Sequence, residues 1–226
     1  MQPVSSAKLR RIAGWLAVLC IIFAILLQGK PYFTNASRPP RGITDPFIAL
    51  QMARDIDEID DVLGEAPSPD REVMRFKTYI DFGLIALYTG LFLAIAVLLL
   101  REEGWGRAAG AAAIVCAIAT SVFNSLENVA ILRVLDVPLH STAVSMINSI
   151  RSASAATWAL GGFTLALLSY FFLRMNGWLA RTVGGLLILS ATVIGLGFNN
   201  NHLIDYGRYS LMVAHAGIAA LFIRVR

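Results

Sequence analysis

The chain has 226 residues, of which 57% are hydrophobic and only 15% are charged, whereas soluble domains carry about 25% charged residues. This composition excludes an ordinary soluble enzyme and indicates an integral membrane protein. The formal net charge of +4 comes from short basic clusters beside apolar segments, so it reports membrane topology and does not indicate a nucleic-acid partner.

Six apolar segments are long enough to cross a bilayer as helices, which takes about 20 residues each. We predict an all-α transmembrane bundle with spans at about 12–28, 78–100, 108–132, 153–173, 179–197 and 208–223. The first segment follows Lys8, Arg10 and Arg11 as a signal peptide would. Because it is too long for a typical signal and lacks a clear cleavage site, we interpret it as a retained span.

Basic residues predict the orientation of these spans in the membrane. With a cytoplasmic N-terminus, the cytoplasmic segments hold nine Lys or Arg residues, against three in the short connections on the other side. The 19 basic residues comprise 16 Arg and 3 Lys, which together with the abundant alanine indicates a GC-rich bacterial genome. We therefore predict a multi-pass protein of the bacterial inner membrane with both termini in the cytoplasm.

The first connection, 29–76, is the only sizeable extramembrane segment of the sequence. Asp45 and Pro46 form a helix start, since Asp is a favoured N-cap and Pro a favoured first residue. Apolar residues then recur at helical spacing as far as Leu63, which predicts one extracytoplasmic amphipathic helix over 46–63. Such a helix could lie on the membrane, cap the bundle as a lid, or bind a membrane or periplasmic protein.

The third predicted span carries polar residues at its outer end, within about a third of the helix circumference. They are Thr120, Ser121, Asn124, Glu127 and Asn128. A carboxylate inside a bilayer costs at least about 2.5 kcal/mol, so it usually faces protein or water. Because a short turn joins the second and third spans, Asp81 of the second span should lie at nearly the same depth as Glu127.

Other polar residues should reach the same level of the membrane. Tyr88 lies on the Asp81 face of its helix, Asn148 and Arg151 precede the fourth span, and His202 and Arg208 belong to the last connection and its helix. We predict a polar cavity open to the extracytoplasmic side, with Asp81 and Glu127 clustered beside Lys77, Arg151 or Arg208. The candidate catalytic residues are Asp81 and Glu127, and the candidate binding residues are Tyr88, Asn124, Asn128, Asn148, Arg151, His202 and Arg208.

Three functions fit such a cavity. In a structural or assembly protein, the buried charges would only form ion pairs, Asp81 with Lys77 and Glu127 with Arg151 or Arg208. In an intramembrane lipid-modifying enzyme, the two carboxyl groups would act as general acid and base, and an arginine would hold an anionic head group. The third function, which we favour, is the binding or handling of a lipid or another membrane-resident partner.

Metal and cofactor chemistry receive little support from the sequence. His140, His202 and His215 lack the local spacing usual when one helix donates two zinc ligands, so no metal site is predicted. Cys20 and Cys116 both lie within apolar spans and do not indicate a disulfide framework. No cofactor is identified, since no P-loop, hydrolase elbow or haem-type pair occurs in the sequence.

One resemblance involves three sequence stretches: DPFIALQMAR from Asp45, YIDFGLIALYTGLF around Asp81, and NSLENVAILRVL around Glu127. Together they make residues 44–135 similar to a group of uncharacterised bacterial multi-pass inner-membrane proteins. The resemblance implies that Asp81, Tyr88, Glu127 and Asn128 are a recurring set, and it brings no known activity.

Overall fold

The structure, a computed structural model, describes residues 5–34, 43, 45–197 and 202–223, and no β-strand occurs within these ranges. The helices are α1 (Ser6–Gln28), α2 (Pro46–Gln51), α3 (Ile56–Leu63), α4 (Pro69–Leu100), α5 (Trp105–Leu135), α6 (Val144–Arg174), α7 (Trp178–Gly197) and α8 (His202–Ile223), with a 3-10 turn at Leu139–Ser141. Five of them, α1, α4, α5, α6 and α7, are long and apolar enough to cross a membrane. The sixth predicted span falls on α8, which is not among the five and carries Arg208 and His215.

The long helices pass beyond several of the predicted spans. Helix α4 begins at Pro69 rather than at 78, with the side chain of Ser68 accepting a hydrogen bond from the Arg71 backbone N–H. Helix α6 begins at Val144 rather than at 153, so the residues that precede the fourth predicted span, including Asn148 and Arg151, are part of the same helix.

The six long helices form a closed ring. Each packs on its neighbours in the order α1, α4, α5, α6, α7, α8, and α8 packs back on α1. Two glycines allow close approach between neighbours: a Cβ on Gly110 of α5 would lie 2.7 Å from the Ala96 carbonyl of α4, and one on Gly14 of α1 would lie 2.9 Å from the Ile223 side chain of α8. The first and last helices are therefore antiparallel neighbours.

Helix α5 shows how the ring meets its surroundings. Its exposed face is apolar and recurs every three or four residues, at Val115, Ile118, Val122, Leu126 and Val129. The opposite face is buried and contains small residues together with Thr120, Glu127 and Asn128. A water-soluble helix has the reverse distribution, so this arrangement fits a helix whose outer face contacts lipid.

The prediction of one continuous helix over 46–63 is wrong. Helix α2 ends at Gln51, and α3 starts at Ile56 after Asp55, whose side chain accepts a hydrogen bond from the Glu58 backbone N–H at 2.9 Å. An aspartate that caps a new helix competes with continuation of the previous one. The apolar periodicity hides this break because both helices bury the same side.

Helices α2 and α3 together form a cap, the name used below for residues 46–63, over one end of the ring. Ile48, Leu50, Ile59 and Leu63 of the cap are buried in an apolar cluster with the C-terminal end of α5 and the N-terminal end of α6. A second and larger apolar cluster fills the interior of the ring. This packing agrees with the lid alternative for this segment.

A polar layer separates the two apolar clusters. On α5 it lies between Ala117 of the ring cluster and Ile131 of the cap cluster. On α4, Asp81 falls between Met74 of the cap cluster and Leu91 of the ring cluster, and on α6, Ser154 and Thr157 fall between Ile150 and Leu165. The polar layer consists of Asp81, Asn124, Glu127, Asn128, Ser154 and Thr157.

A buried basic residue of α4, Arg71, fastens neighbouring helix ends. Arg71 Nη1 donates to the carbonyls of Val134 (3.1 Å), Leu135 (3.2 Å) and Val137 (2.8 Å) at the end of α5, and its Nε donates to Gly64 (3.1 Å) after α3. The carbonyls of the last turn of a helix have no partner within the helix. Arg71 supplies donors for them and so ties the cap to the ring.

Candidate functional site

The antiparallel register of α4 and α5 brings the polar side chains of the two helices together. Asn128 Nδ2 donates to Asp81 Oδ2 at 2.9 Å, and Asn124 Nδ2 donates to the Tyr88 hydroxyl at 3.1 Å. This confirms the prediction that the Asp81 and Glu127 levels coincide. The register follows from the short turn between the helices, because residues equally far from the turn lie at equal depth.

Glu127 is the most enclosed ionisable group of this layer. Its exposed fraction is 0%, and neither carboxyl oxygen has a hydrogen-bond partner. Ser154 and Gln51 approach the carboxyl group, which also interacts electrostatically with Asp81, but neither neighbour completes a hydrogen bond. Buried polar groups in folded proteins are nearly always paired, so this carboxyl group requires an explanation beyond packing.

A central cavity of about 210 Å³ lies inside the ring beneath the cap. Its polar lining includes Gln51, Asp81, Tyr88, Thr120, Asn124, Thr157, Arg208 and His215. The remaining wall is mainly apolar and includes Ala24, Leu165 and Leu211. The wall of the central cavity therefore combines a largely apolar surface with several polar side chains.

The predicted site residues divide into three groups in the structure. Asp81, Tyr88, Asn124 and Arg208 line the central cavity, and Glu127 and Asn128 are buried in the polar layer beside it. Asn148 and Arg151 are exposed on α6, so their predicted place in the cavity is wrong. The side chain of His202 lies outside the part of the chain that the structure describes.

Arg151 points outward because the buried face of the first turns of α6 is apolar. That face carries Ile147 and Ile150, which pack beneath the cap. Ser145, Asn148 and Arg151 instead lie on the exposed side of the helix. A polar face on a helix shows that its side chains point in one direction. It does not specify whether that direction is the cavity or the solvent.

The ion pairs that the structural alternative requires do not form among the described residues, although Arg208 lines the central cavity together with Asp81 and interacts with its carboxyl group electrostatically. Lys77 Nζ donates to the backbone carbonyls of Leu27 and Gly29 at the end of α1, so it is directed away from Asp81. Arg208 forms an ion pair with Asp45 at the start of α2. Within the described residues, neither Asp81 nor Glu127 has a basic partner at ion-pair distance.

Asp45 makes two contacts, of which the sequence predicted only the helix cap. Its Oδ1 accepts the Phe47 backbone N–H at 2.8 Å, as expected of an N-cap, and its Oδ2 accepts the guanidinium of Arg208. The start of α2 is thereby fastened to α8 beside the central cavity, which Arg208 lines. The two residues are 163 positions apart, and nothing in their local sequence indicates the pair.

Gln51 and His215 are site residues that sequence reasoning missed. Both line the central cavity, and Gln51 Oε1 and His215 Nε2 are buried without a hydrogen-bond partner. His215 Nδ1 lies 2.7 Å from the Leu211 carbonyl. Gln51 belongs to the segment predicted as an amphipathic helix. Its contact with the cavity depends on how the cap folds over the ring, which the sequence pattern does not report.

Across the residues that the structure describes, no three His, Cys, Asp or Glu side chains are grouped so that they could hold a metal ion. No family model, curated protein or solved structure matches this chain. Functional inference therefore depends on the chemistry of the central cavity.

Proposed function

We propose that this protein binds a lipid or another membrane-resident amphiphile in the central cavity. The observation that carries the proposal is a set of unpaired buried polar atoms on residues that line a largely apolar cavity. These atoms are Gln51 Oε1, Thr157 Oγ1, Trp158 Nε1 and His215 Nε2. Leaving such groups unpaired costs about 1–3 kcal/mol each, and an amphiphile with a polar head would satisfy them.

In this proposal the chain is a six-span protein of the bacterial inner membrane. Helix α8 completes the ring with α1 and α7, which supports its assignment as the sixth span. With an even number of spans, both termini lie on one side, and the positive-inside rule makes that side cytoplasmic. The cap and the polar layer then belong to the extracytoplasmic half.

Cysteine labelling tests this orientation. Asp61 of the cap and Glu103 of the α4–α5 turn are exposed, so a cysteine at either position should react if reagent reaches that side. In a background with Cys20 and Cys116 replaced, Asp61→Cys should react with a membrane-impermeant maleimide in whole cells after the outer membrane is permeabilised. Glu103→Cys should react only after the inner membrane is disrupted. The opposite result would place the cap in the cytoplasm.

Two glycines of α6 leave the space that the ligand would occupy. Gly161 and Gly162 line the central cavity, and a Cβ added at Gly161 would meet only Thr120 Cγ2, at 3.6 Å. A small residue at this position therefore keeps the cavity open without strain. A larger side chain there would extend into the cavity.

Filling the cavity tests the binding function. We expect Gly161→Leu to reduce the lipid that co-purifies with the protein by at least about tenfold, since the added side chain occupies the ligand's volume. Native mass spectrometry of protein in a mild detergent would measure bound lipid. Gly185→Leu is the matched control, because Gly185 is exposed with no atom within 4 Å of an added Cβ. Equal lipid content in the two variants would refute binding in this cavity.

An intramembrane enzyme is the second candidate function. It is supported by the electrostatic contact between two buried carboxyl groups, Asp81 and Glu127, since general acid–base catalysis uses such pairs. Of the two, Asp81 lines the central cavity, and the Glu127 carboxyl lies behind it in the polar layer. Binding is therefore the better supported function, because it needs only the groups that line the cavity.

A further inference from the structure

Several of the hydrogen-bonding groups that line the cavity are acceptors. Gln51 Oε1 is an amide oxygen, and it has no partner. His215 Nδ1 lies against a backbone carbonyl, and a carbonyl can only accept, so Nδ1 carries the hydrogen and Nε2 of a neutral ring is an acceptor. Asp81 adds a carboxyl group with one hydrogen bond, from Asn128.

Donors are fewer and are largely engaged. The Arg208 guanidinium lines the cavity, but it is held by the Asp45 carboxylate at the start of α2. Asn124 Nδ2 donates to the Tyr88 hydroxyl. Trp158 Nε1 is a buried donor without a partner, and it would suit a single acceptor oxygen of a ligand. Thr157 Oγ1 is also without a partner, and a hydroxyl can either donate or accept. A ligand that satisfies Gln51 Oε1, His215 Nε2 and Asp81 therefore donates more hydrogen bonds than it accepts.

The charges around the cavity also favour a ligand whose head group donates hydrogen bonds. Arg208 and Asp45 offset each other as an ion pair. Asp81 lines the cavity and Glu127 is buried behind it, with no basic residue at ion-pair distance from either among the described residues. An anionic head group, which the sequence analysis assigned to Arg151 or Arg208, would meet the Asp81 carboxyl group as well as the Arg208 guanidinium, whose charge Asp45 already offsets. Tyr88 and Trp158 also line the cavity, and aromatic faces attract cations.

We infer that the ligand of the central cavity is an amphiphile with a primary amine or ammonium head, held by Asp81, Gln51 and His215. This inference rests on the proposed binding function and specifies its ligand class. The ammonium group has three donors and no acceptor, which matches three acceptors on the wall. Its charge is balanced by the carboxyl groups of the polar layer, and its alkyl chain occupies the apolar part of the cavity.

Three amphiphiles that differ only in the head group test the inference: dodecylamine, dodecanol and dodecyl phosphate. Their binding to the purified full-length protein would be measured by native mass spectrometry in one detergent. We expect dodecylamine to bind at least about tenfold more tightly than the other two, the ratio expected from one charge-assisted hydrogen bond. In Asp81→Asn this preference should fall to about twofold or less, whereas Glu103→Gln, a neutralisation at the far end of the ring, should retain it.

Each alternative result has a separate meaning. Equal binding of the amine and the alcohol, or tighter binding of the phosphate, would overturn the ligand class and leave the binding function standing. An amine preference that persists in Gly161→Leu would show that the amine associates outside the cavity, and it would overturn the inference. Failure of all three amphiphiles to bind, with no lipid co-purified, would overturn the proposed function itself. If Asp81→Asn does not fold, the comparison of the three head groups on the unaltered protein still tests the ligand class.

Discussion

Replacing Arg71 by methionine should lower the free energy of unfolding by roughly 3–5 kcal/mol. Arg71 is 2% exposed, and its Nη1 and Nε donate to four backbone carbonyls, three at the end of α5 and one after α3. Methionine fills a similar volume but donates nothing, so these carbonyls would lose their donor in a buried environment. Reversible unfolding in mixed micelles, followed by circular dichroism, would measure the loss.

Arg75 provides the matched control for this prediction. It lies one turn further along α4 and pairs with Asp136, whose side chain is 66% exposed. Exposed ion pairs contribute about 0–1 kcal/mol, so Arg75→Met should change stability only slightly. Arg71→Lys should give an intermediate loss, because one ammonium group cannot reach all four carbonyls. Equal losses for Arg71→Met and Arg75→Met would show that the helix-end contacts contribute little.

Replacing Glu127 by leucine should have the opposite effect and stabilise the protein by about 1–3 kcal/mol. The carboxyl group is fully enclosed, and neither oxygen is hydrogen bonded. Leucine removes this unpaired polar group at nearly constant volume. The measured quantity is the melting temperature in detergent, which should rise.

Glu127→Gln separates this explanation from an ion pair. Glutamine keeps the shape and a polar end, so its stability should stay within about 1 kcal/mol of the unaltered protein. If Glu127 were half of an ion pair, the same change would strand its partner and lower the melting temperature by several degrees. A stabilising Glu127→Leu that also loses bound lipid would show that the carboxyl group is retained for binding at a cost in stability.

Much of the fold could be predicted because a membrane imposes simple rules on a sequence. The apolar segments and the short turn between α4 and α5 were enough to bring Asp81 to the level of Asn128, where the two side chains are hydrogen bonded. Depth along an antiparallel helix pair depends only on distance from the turn. This part of the site is a local property of two adjacent helices.

The rest of the site depends on contacts between distant segments, which periodicity does not report. In the structural alternative Lys77 would pair with Asp81 on its own helix, but its ammonium group donates to backbone carbonyls at the end of α1 instead. Arg208 was expected beside Glu127, and Asp45 of the cap binds it. In both cases a residue from another segment competes better than the neighbour that sequence spacing suggests.

The closed ring has a consequence for how the protein is made. Membrane proteins are synthesised and inserted from the N-terminus, yet α1 packs against α8, which emerges after the five other ring helices. During biogenesis α1 therefore has only α4 as a ring neighbour until α8 has been inserted. The central cavity has walls from both helices, including Ala24 and His215, so a nascent chain without α8 lacks part of the binding site. Ligand occupancy would thus distinguish chains in which the ring has closed from nascent chains in which it has not.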